Sequence, residues 1–457
     1  MSAKIRKLQT SNFKLPIRPS STFYLLSSST LVLFLYMPFH TFISVWLSTY
    51  TGGLEFWKIW KDVLTALVTI LCIATVFLMG KASKLYKNLI ILIGLYALLH
   101  VILFFTTSQP VLTGALAFIY NLRIFCYLII GYSLAILAIF HLPTSNFQNL
   151  LNKYFKILVL LSTVVCFIAV LQYFLPKDIL THFGYAVERG VKPNFFIDDK
   201  PDLFRVFSTL RDPNSLGAFL ILPITFLTQK LIKNWKTDRR MFLAGLLILH
   251  VWVLLLTFSR STLLATVLSV GVLMALTNVK TIKKYKNQTF LAVTILCVAM
   301  LGFVYVLRDQ YLVQNVVFHA DESTILQSPN ELRASLAQKA INGIVDEPLG
   351  HGPGTAGLVS TRLPNGLLTE NYFLQILYEV GIFGFAIFIA ILFLVVQKLW
   401  SLRQNDTAKV LLASFAGLVF ANLLFHTWSN EAVSISWFLL AGLALNSRAG
   451  INGENRY

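Results

Sequence analysis

Residues 241–278 read MFLAGLLILHVWVLLLTFSRSTLLATVLSVGVLMALTN, and Arg260 is the single charge among them. A helix that crosses a bilayer needs roughly 20 mainly apolar residues. Taken as one helix, the stretch far exceeds any membrane. Broken at Thr257-Phe258-Ser259-Arg260-Ser261, it makes two spans with an arginine held in the tight turn between them. The same window, moved outward along the chain, places spans at about 24–47, 62–79, 88–106, 115–140, 155–175 and 214–232 in the first half. In the second half it places them at about 241–258, 261–278, 289–307, 371–396, 409–426 and 432–446. The expected fold is an all-α polytopic membrane protein of about twelve transmembrane helices.

Composition points the same way. The 457 residues are 56% hydrophobic and 13% charged, where soluble domains run at about 25% charged. That is more apolar surface than one water-soluble core can hide. The net charge of +18 sits in short clusters between apolar runs. Without a continuous basic face, nucleic acid is excluded as a partner. The four cysteines, Cys72, Cys126, Cys166 and Cys297, fall inside apolar runs without CxxC spacing, so neither a disulfide framework nor a zinc site is expected. The chain opens with Lys4, Arg6, Lys7, Lys14 and Arg18 ahead of an apolar run from about Phe23 to Leu47. That run is too long for a signal peptide core and is read as a retained first span.

Orientation follows from the distribution of basic residues. With the N-terminus in the cytoplasm, 24 of the 38 Lys and Arg fall in inner segments, 13 in outer ones, and Arg123 lies within a span. Seventeen of the 20 acidic residues fall outside or at outer helix ends. Both termini are therefore expected in the cytoplasm. Two outer loops stand out by length, at about 176–213 and 308–370. In the second, Ser328-Pro329-Asn330-Glu331 reads as a helix start, and Leu332, Leu336, Ala340, Ile341 and Ile344 recur at helical spacing. Pro348-Leu349-Gly350-His351-Gly352-Pro353-Gly354 then ends that helix. It is expected to lie on the membrane face and cap the bundle.

Ionisable groups at or inside spans are costly and mark candidate sites. Arg205, Arg211 and Arg260 gather at outer helix ends, and guanidinium groups fit phosphate oxygens. The structural alternative pairs Arg205 and Arg211 with Asp202 and Asp212, and lets Arg123 neutralise a helix end or bind a carbonyl. Asp212 followed by Pro213-Asn214 reads as a capped helix start. Glu370, opening the tenth span before Asn371 and Tyr372, is a candidate base or simply a charge suited to a helix N-terminus. His351 in the glycine-rich turn is the second candidate base; His319 and His426 rank lower. Neither a P-loop nor a metal-ligand pattern occurs in the sequence.

Five motifs follow in order: RVFSTLRDPN from Arg205 to Asn214; Ser259-Arg260; Arg333 followed by Pro348-Leu349-Gly350-His351-Gly352; Glu370-Asn371-Tyr372-Phe373-Leu374; and Glu379-Val380-Gly381-Ile382-Phe383-Gly384. Over about residues 205–395 this series resembles the O-antigen ligase / O-antigen polymerase (Wzy-like) superfamily of envelope glycan transferases. It divides the chain into N-terminal helices and the first long outer loop (1–204), a ligase/polymerase-like core (205–395) and C-terminal helices with a tail (396–457).

The resemblance implies a C-type glycosyltransferase-like bundle with an extracytoplasmic helical loop, in a bacterial cytoplasmic membrane. It implies an undecaprenyl-diphosphate-linked glycan as donor, a glycan or lipid as acceptor, and no cofactor or metal. Membrane lipids and polysaccharide-assembly proteins are the further partners implied. Arg205, Arg260 and Arg211 would hold the diphosphate, Glu370 or His351 would act as base, and Asn214, Arg333, Asn371 and Tyr372 would support them. Ligases of the family carry a histidine where this chain has Glu370, which tilts the reading towards a polymerase of repeat units. The rival from another class is a lipid-linked glycan flippase. A transporter would place its ionisable groups near the midplane, where only Arg123 lies.

Overall fold

The computed structural model describes residues 19–107, 109–141, 144–197, 200–234, 237–277 and 329–446. The ninth expected span (289–307), the first part of the second long loop (308–328), Cys297 and both charged ends of the chain lie outside the described residues. The described helices are α1 (Pro19–Tyr36), α2 (His40–Thr51), α3 (Leu54–Leu78), α4 (Lys84–Thr106), α5 (Val111–His141), α6 (Thr144–Phe174), α7 (Pro213–Lys233), α8 (Arg239–Leu256) and α9 (Arg260–Leu276). They continue with α10 (Pro329–Asp346), the single turn α11 (Gly357–Ser360), α12 (Tyr372–Ser401), α13 (Asp406–Asn422) and α14 (Glu431–Ala444). One short antiparallel hairpin, β1 (Phe196–Ile197) with β2 (Lys200–Phe204), interrupts the all-α pattern just ahead of Arg205.

Among the described residues, eight helical segments are long and apolar enough to cross a membrane, against about twelve expected. The first expected span is an α1–α2 pair joined by a 3-10 turn at Met37–Phe39, where Pro38 cannot donate a backbone hydrogen bond. The expected spans at 261–278, 409–426 and 432–446 are shorter helices of 17, 17 and 14 residues. Of these, α13 ends at Asn422, where the loop that carries His426 and Trp428 begins. The break at 257–259 is present: α8 stops at Leu256 and α9 starts at Arg260, with Phe258 at φ +48°.

The centre of the bundle is α5 against α14. From Asn121 to Ala138 nearly every residue of α5 is buried, as is almost all of α14. The two helices approach at Gly131 and Gly442. A Cβ on Gly131 would sit 2.2 Å from the Leu439 carbonyl oxygen, and one on Gly442 would sit 2.2 Å from that of Leu128. Small residues at such a crossing are how helices pack where lipid removes the hydrophobic drive. Around this centre, Leu78, Phe105, Ile248 and Phe393 stand exposed on α3, α4, α8 and α12. This is a rim suited to hydrocarbon rather than water.

Arg123 on α5 is answered inside the protein. Its Nη1 lies 2.8 Å from Glu431 and 3.4 Å from Asp62, and its Nη2 donates to the Ser429 carbonyl at 2.6 Å. Lys61 completes the set at 2.8 Å from Asp62 and 3.4 Å from Glu431. Two cations and two carboxylates thus alternate where α3, α5 and α14 meet. The structural alternative for Arg123 is the one observed, and the midplane charge on which a transporter reading leans is taken up in packing.

The motifs around Gly350 and Gly381 form one joint. Gly381 has φ +64° and breaks the backbone of α12. The turn 348–354 occupies the break: His351 N donates to Tyr378 O, Gly352 N to Glu379 O, and Ile382 N to Pro348 O, each at 3.0 Å. The two backbones are so close that a Cβ on Gly381 would lie 2.3 Å from the Leu349 carbonyl carbon. Beneath the turn, the buried Glu379 carboxylate accepts from Gly354 N (3.1 Å), Ala356 N (3.3 Å) and Asn121 Nδ2 (2.7 Å). A buried carboxylate satisfied in this way fixes the loop to α5 and α12 together.

Two outcomes follow from this packing. Glu431→Ala leaves Asp62 as the one carboxylate for two buried cations and is expected to cost about 3–5 kcal/mol, read as a large drop in melting temperature of the purified protein in detergent. Gly381→Val places a side chain against backbone at a positive φ. It is expected to free the 348–354 turn, read as new protease cleavage there that Ile382→Val does not produce.

Candidate active site

The loop after β2 brings Arg205 to the α8–α9 turn for reasons legible residue by residue. Arg205 N donates to Phe195 O at 2.9 Å and Val206 N to Leu256 O at 3.2 Å, so the strand end is tied to the end of α8. Gln172 of α6 accepts from Phe207 N (3.0 Å) and Ser208 N (2.8 Å), holding Ser208 at φ +55°. Thr209 Oγ1 donates to Pro38 O at 2.7 Å. The segment is therefore stapled to the 3-10 turn after α1, to α6 and to α8 before it enters α7.

Arg205 itself donates from Nε to Thr257 O and from Nη2 to Asn214 Oδ1, both at 2.9 Å. Its side chain thus lies against the turn that carries Arg260, and Asn214 sets its direction. Burial pushes Arg205 down to about 10; the Asp212 carboxylate opposes this, while the Arg260 and Arg333 guanidiniums add to it. It stays charged at neutral pH. Arg260, on the turn against which Arg205 lies, and Arg333 are thus the cations in the surroundings of Arg205. Clustered guanidiniums, half-buried beside carbonyls and an amide, are suited to a multiply charged anion such as a diphosphate.

The carboxylates are placed unequally. Asp212 caps α7, accepting from Ser215 N and Ser215 Oγ at 2.8 Å each, and pairs with Arg211 Nε at 3.0 Å. The expected cap is thus observed, and Arg211 takes the ion pair that the structural alternative gave it. Glu370 stands at φ +46° and pairs with Arg333 Nε of α10. The helix in the second long loop is therefore present, and it carries a charged residue to the arginine group. Asn371 is the N-cap of α12, accepting from Phe373 N and Leu374 N at 3.0 Å each. Tyr372 is buried edge-on to Trp428 at 5.7 Å. Both of these read as supports for Glu370 and not as contacts to a ligand.

His351 does not join the group. Its ring stacks on Tyr378 at 3.8 Å, and Nε2 is 3.8 Å from Glu347. Arg333 lies near the start of α10 and His351 just past its end, which separates them by about 20 Å along the helix. Residue reasoning ranked His426 below both candidate bases, yet it is buried beside Thr369, 3.3 Å from its hydroxyl, and within the influence of Arg211. The missed signal is a histidine in the short polar break between two apolar runs, next to Thr427, Ser429 and Asn430.

A comparison with curated proteins finds no match. A scan against family models matches residues 243–389 to the family described as O-antigen ligase. The match runs from α8 through α9 and α10 and past the Gly381 break into α12, and so takes in Arg260, Arg333, His351, Glu370 and Glu379. Arg205, Arg211 and His426 lie beyond it. Over this segment the chain is similar to the O-antigen ligase family, which supports glycan transfer of the O-antigen ligase or polymerase type in general.

Proposed function

We propose that the protein transfers glycan from an undecaprenyl-diphosphate carrier to the hydroxyl of an acceptor sugar, polymerising repeat units of a surface polysaccharide at the outer face of the cytoplasmic membrane. The observation that carries this reading is Arg205 held against the turn that carries Arg260, in the electrostatic surroundings of Arg333, which is itself paired with Glu370. In this reading the acceptor oxygen attacks the anomeric carbon while the bond from that carbon to the diphosphate oxygen breaks. The electron pair of that bond leaves on the lipid diphosphate, where Arg205 and Arg260 stabilise the growing charge. The acceptor's proton passes to Glu370, oriented by Arg333.

The guanidiniums supply the fixed charge, and no metal or cofactor enters the step. Glu370, where ligases of the family carry histidine, favours polymerisation; transfer to a lipid or protein acceptor is the alternative reading. His351, stacked on Tyr378 and remote from the arginines, serves the joint between α10 and α12 and not the proton transfer. Exposed Val345 and Leu349 at the end of α10, beside Ile382 of α12, would rest that helix on the membrane surface. The N-terminus and the basic inner segments are placed in the cytoplasm by charge distribution.

Purified protein in lipid vesicles, given undecaprenyl-diphosphate oligosaccharide, is expected to yield longer lipid-linked chains. Arg205→Ala, Arg260→Ala and Glu370→Gln are each expected to reduce turnover by about 10²-fold or more while inserting normally, and His351→Phe to retain it. Chains that never lengthen while glycan moves to a lipid or protein acceptor would establish the ligase reading. Undiminished turnover in both arginine variants would remove the diphosphate site.

A further inference from the structure

His426 lies in the loop between α13 and α14, fully buried. Its Nε2 is 3.3 Å from Thr369 Oγ1, and the same hydroxyl is 3.0 Å from the carbonyl oxygen of Asn371. A carbonyl can only accept, and a threonine has one proton to give, so that proton goes to Asn371. Towards His426 the hydroxyl can then only accept, which puts the imidazole proton on Nε2. Nδ1 is left as a buried lone pair without a hydrogen-bond partner among the described residues. Burial and the nearby Arg211 guanidinium hold the ring neutral, pushed down to about 3. A charged ring would bury a second N–H with nothing to receive it.

The loop that carries His426 cannot easily withdraw. Arg123 Nη2 donates to Ser429 O at 2.6 Å, and Trp428 N donates to Asn422 Oδ1 at 3.1 Å. Trp428 also packs edge-on to Tyr372, the first residue of α12. On the other side, Thr369 directly precedes Glu370, whose left-handed backbone L residues rarely adopt without support. The three-residue stretch Thr369–Asn371 is thus gripped at one end by the imidazole and at the other by the Asn371 cap.

We propose that His426 is a positioning residue: its Nε2–H holds the Thr369 hydroxyl, and this contact fixes the Glu370 backbone and so the direction of its carboxylate. The inference rests on the reading of Glu370 as the carboxylate that acts in transfer. Its core is testable without transfer. In full-length protein labelled with ¹⁵N-histidine in lipid bilayers, the His426 signal is identified by its loss in His426→Gln. It is expected to report a neutral ring protonated on Nε2, unchanged through the neutral pH range, and to shift in Thr369→Val. A ring protonated on Nδ1, one that gains charge near neutral pH, or a signal indifferent to Thr369→Val overturns the proposal. If the wild-type protein transfers no glycan, the proposed function fails while this measurement still decides the contact.

Turnover tests the consequence. His426→Gln places an amide N–H where Nε2–H stands and is expected to keep kcat within about threefold. His426→Leu is expected to lose about tenfold in kcat, the cost of one hydrogen bond, with the donor KM unchanged. Thr369→Val added to His426→Leu should cost less than the sum of the two single losses, because both remove the contact between His426 and Thr369 while only Thr369→Val also removes the bond to the Asn371 carbonyl. Equal losses in the Gln and Leu variants, additive losses in the double variant, or a raised KM in place of a lowered kcat overturns the positioning role.

Discussion

Inside a bilayer no water is present to satisfy a backbone N–H or C=O, so every interruption of a helix must find its partners within the protein. That constraint organises this molecule, because its functional residues stand at interruptions. The break of α12 at Gly381 is filled by the 348–354 turn through three backbone hydrogen bonds. The break between α8 and α9 gives its Thr257 and Leu256 carbonyls to Arg205 Nε and Val206 N. The break between α13 and α14 gives its Ser429 carbonyl to Arg123 and takes the Asn422 amide oxygen for Trp428 N. Each repair brings a distant stretch of chain to the gap, and the site is what these repairs assemble.

Two groups of charges show opposite uses of the same chemistry. Lys61, Asp62, Arg123 and Glu431 alternate in sign at the meeting of three helices, and each charge is answered by neighbours of the opposite sign. Such a set spends its electrostatics on holding helices together. Around Arg205 the balance differs: the Arg260 and Arg333 guanidiniums depress its basicity and Asp212 opposes them, while Arg333 is paired with Glu370. The segment that carries Arg205 is held by backbone staples, so a cation is kept among cations.

Much of this was legible in the sequence. Apolar run lengths gave the membrane class, Ser259-Arg260 marked the turn, Asp212-Pro213 marked a helix start, and the spacing after Leu332 marked α10. Of the expected spans, eight helical segments reach membrane-crossing length among the described residues, the one at 289–307 lies outside them, and α9, α13 and α14 are shorter helices, because hydropathy cannot distinguish a polar break at the surface from one inside. His351 and His426 were ranked in the reverse of their placement for a related reason. A histidine between glycines looks available, although stacking on Tyr378 occupies it; a histidine at the end of an apolar run looks buried and inert, although the fold sets it beside Thr369. Glu379 was read as part of a motif, and its service to the turn through Gly354 and Ala356 needed three-dimensional proximity to see.

The alternating charge quartet has a consequence for how the chain is made. Lys61, Asp62 and Arg123 belong to helices synthesised early, and together they carry one uncompensated positive charge. Glu431 arrives some three hundred residues later, at the head of α14, and its carboxylate restores neutrality as that helix seats against α5. Until then Arg123 sits in a span whose insertion it penalises by about 2.5–3.5 kcal/mol. A nascent or truncated chain lacking α14 therefore carries an unbalanced cation within the membrane. Neutrality within the first half of the chain is thus completed only when α14 is in place.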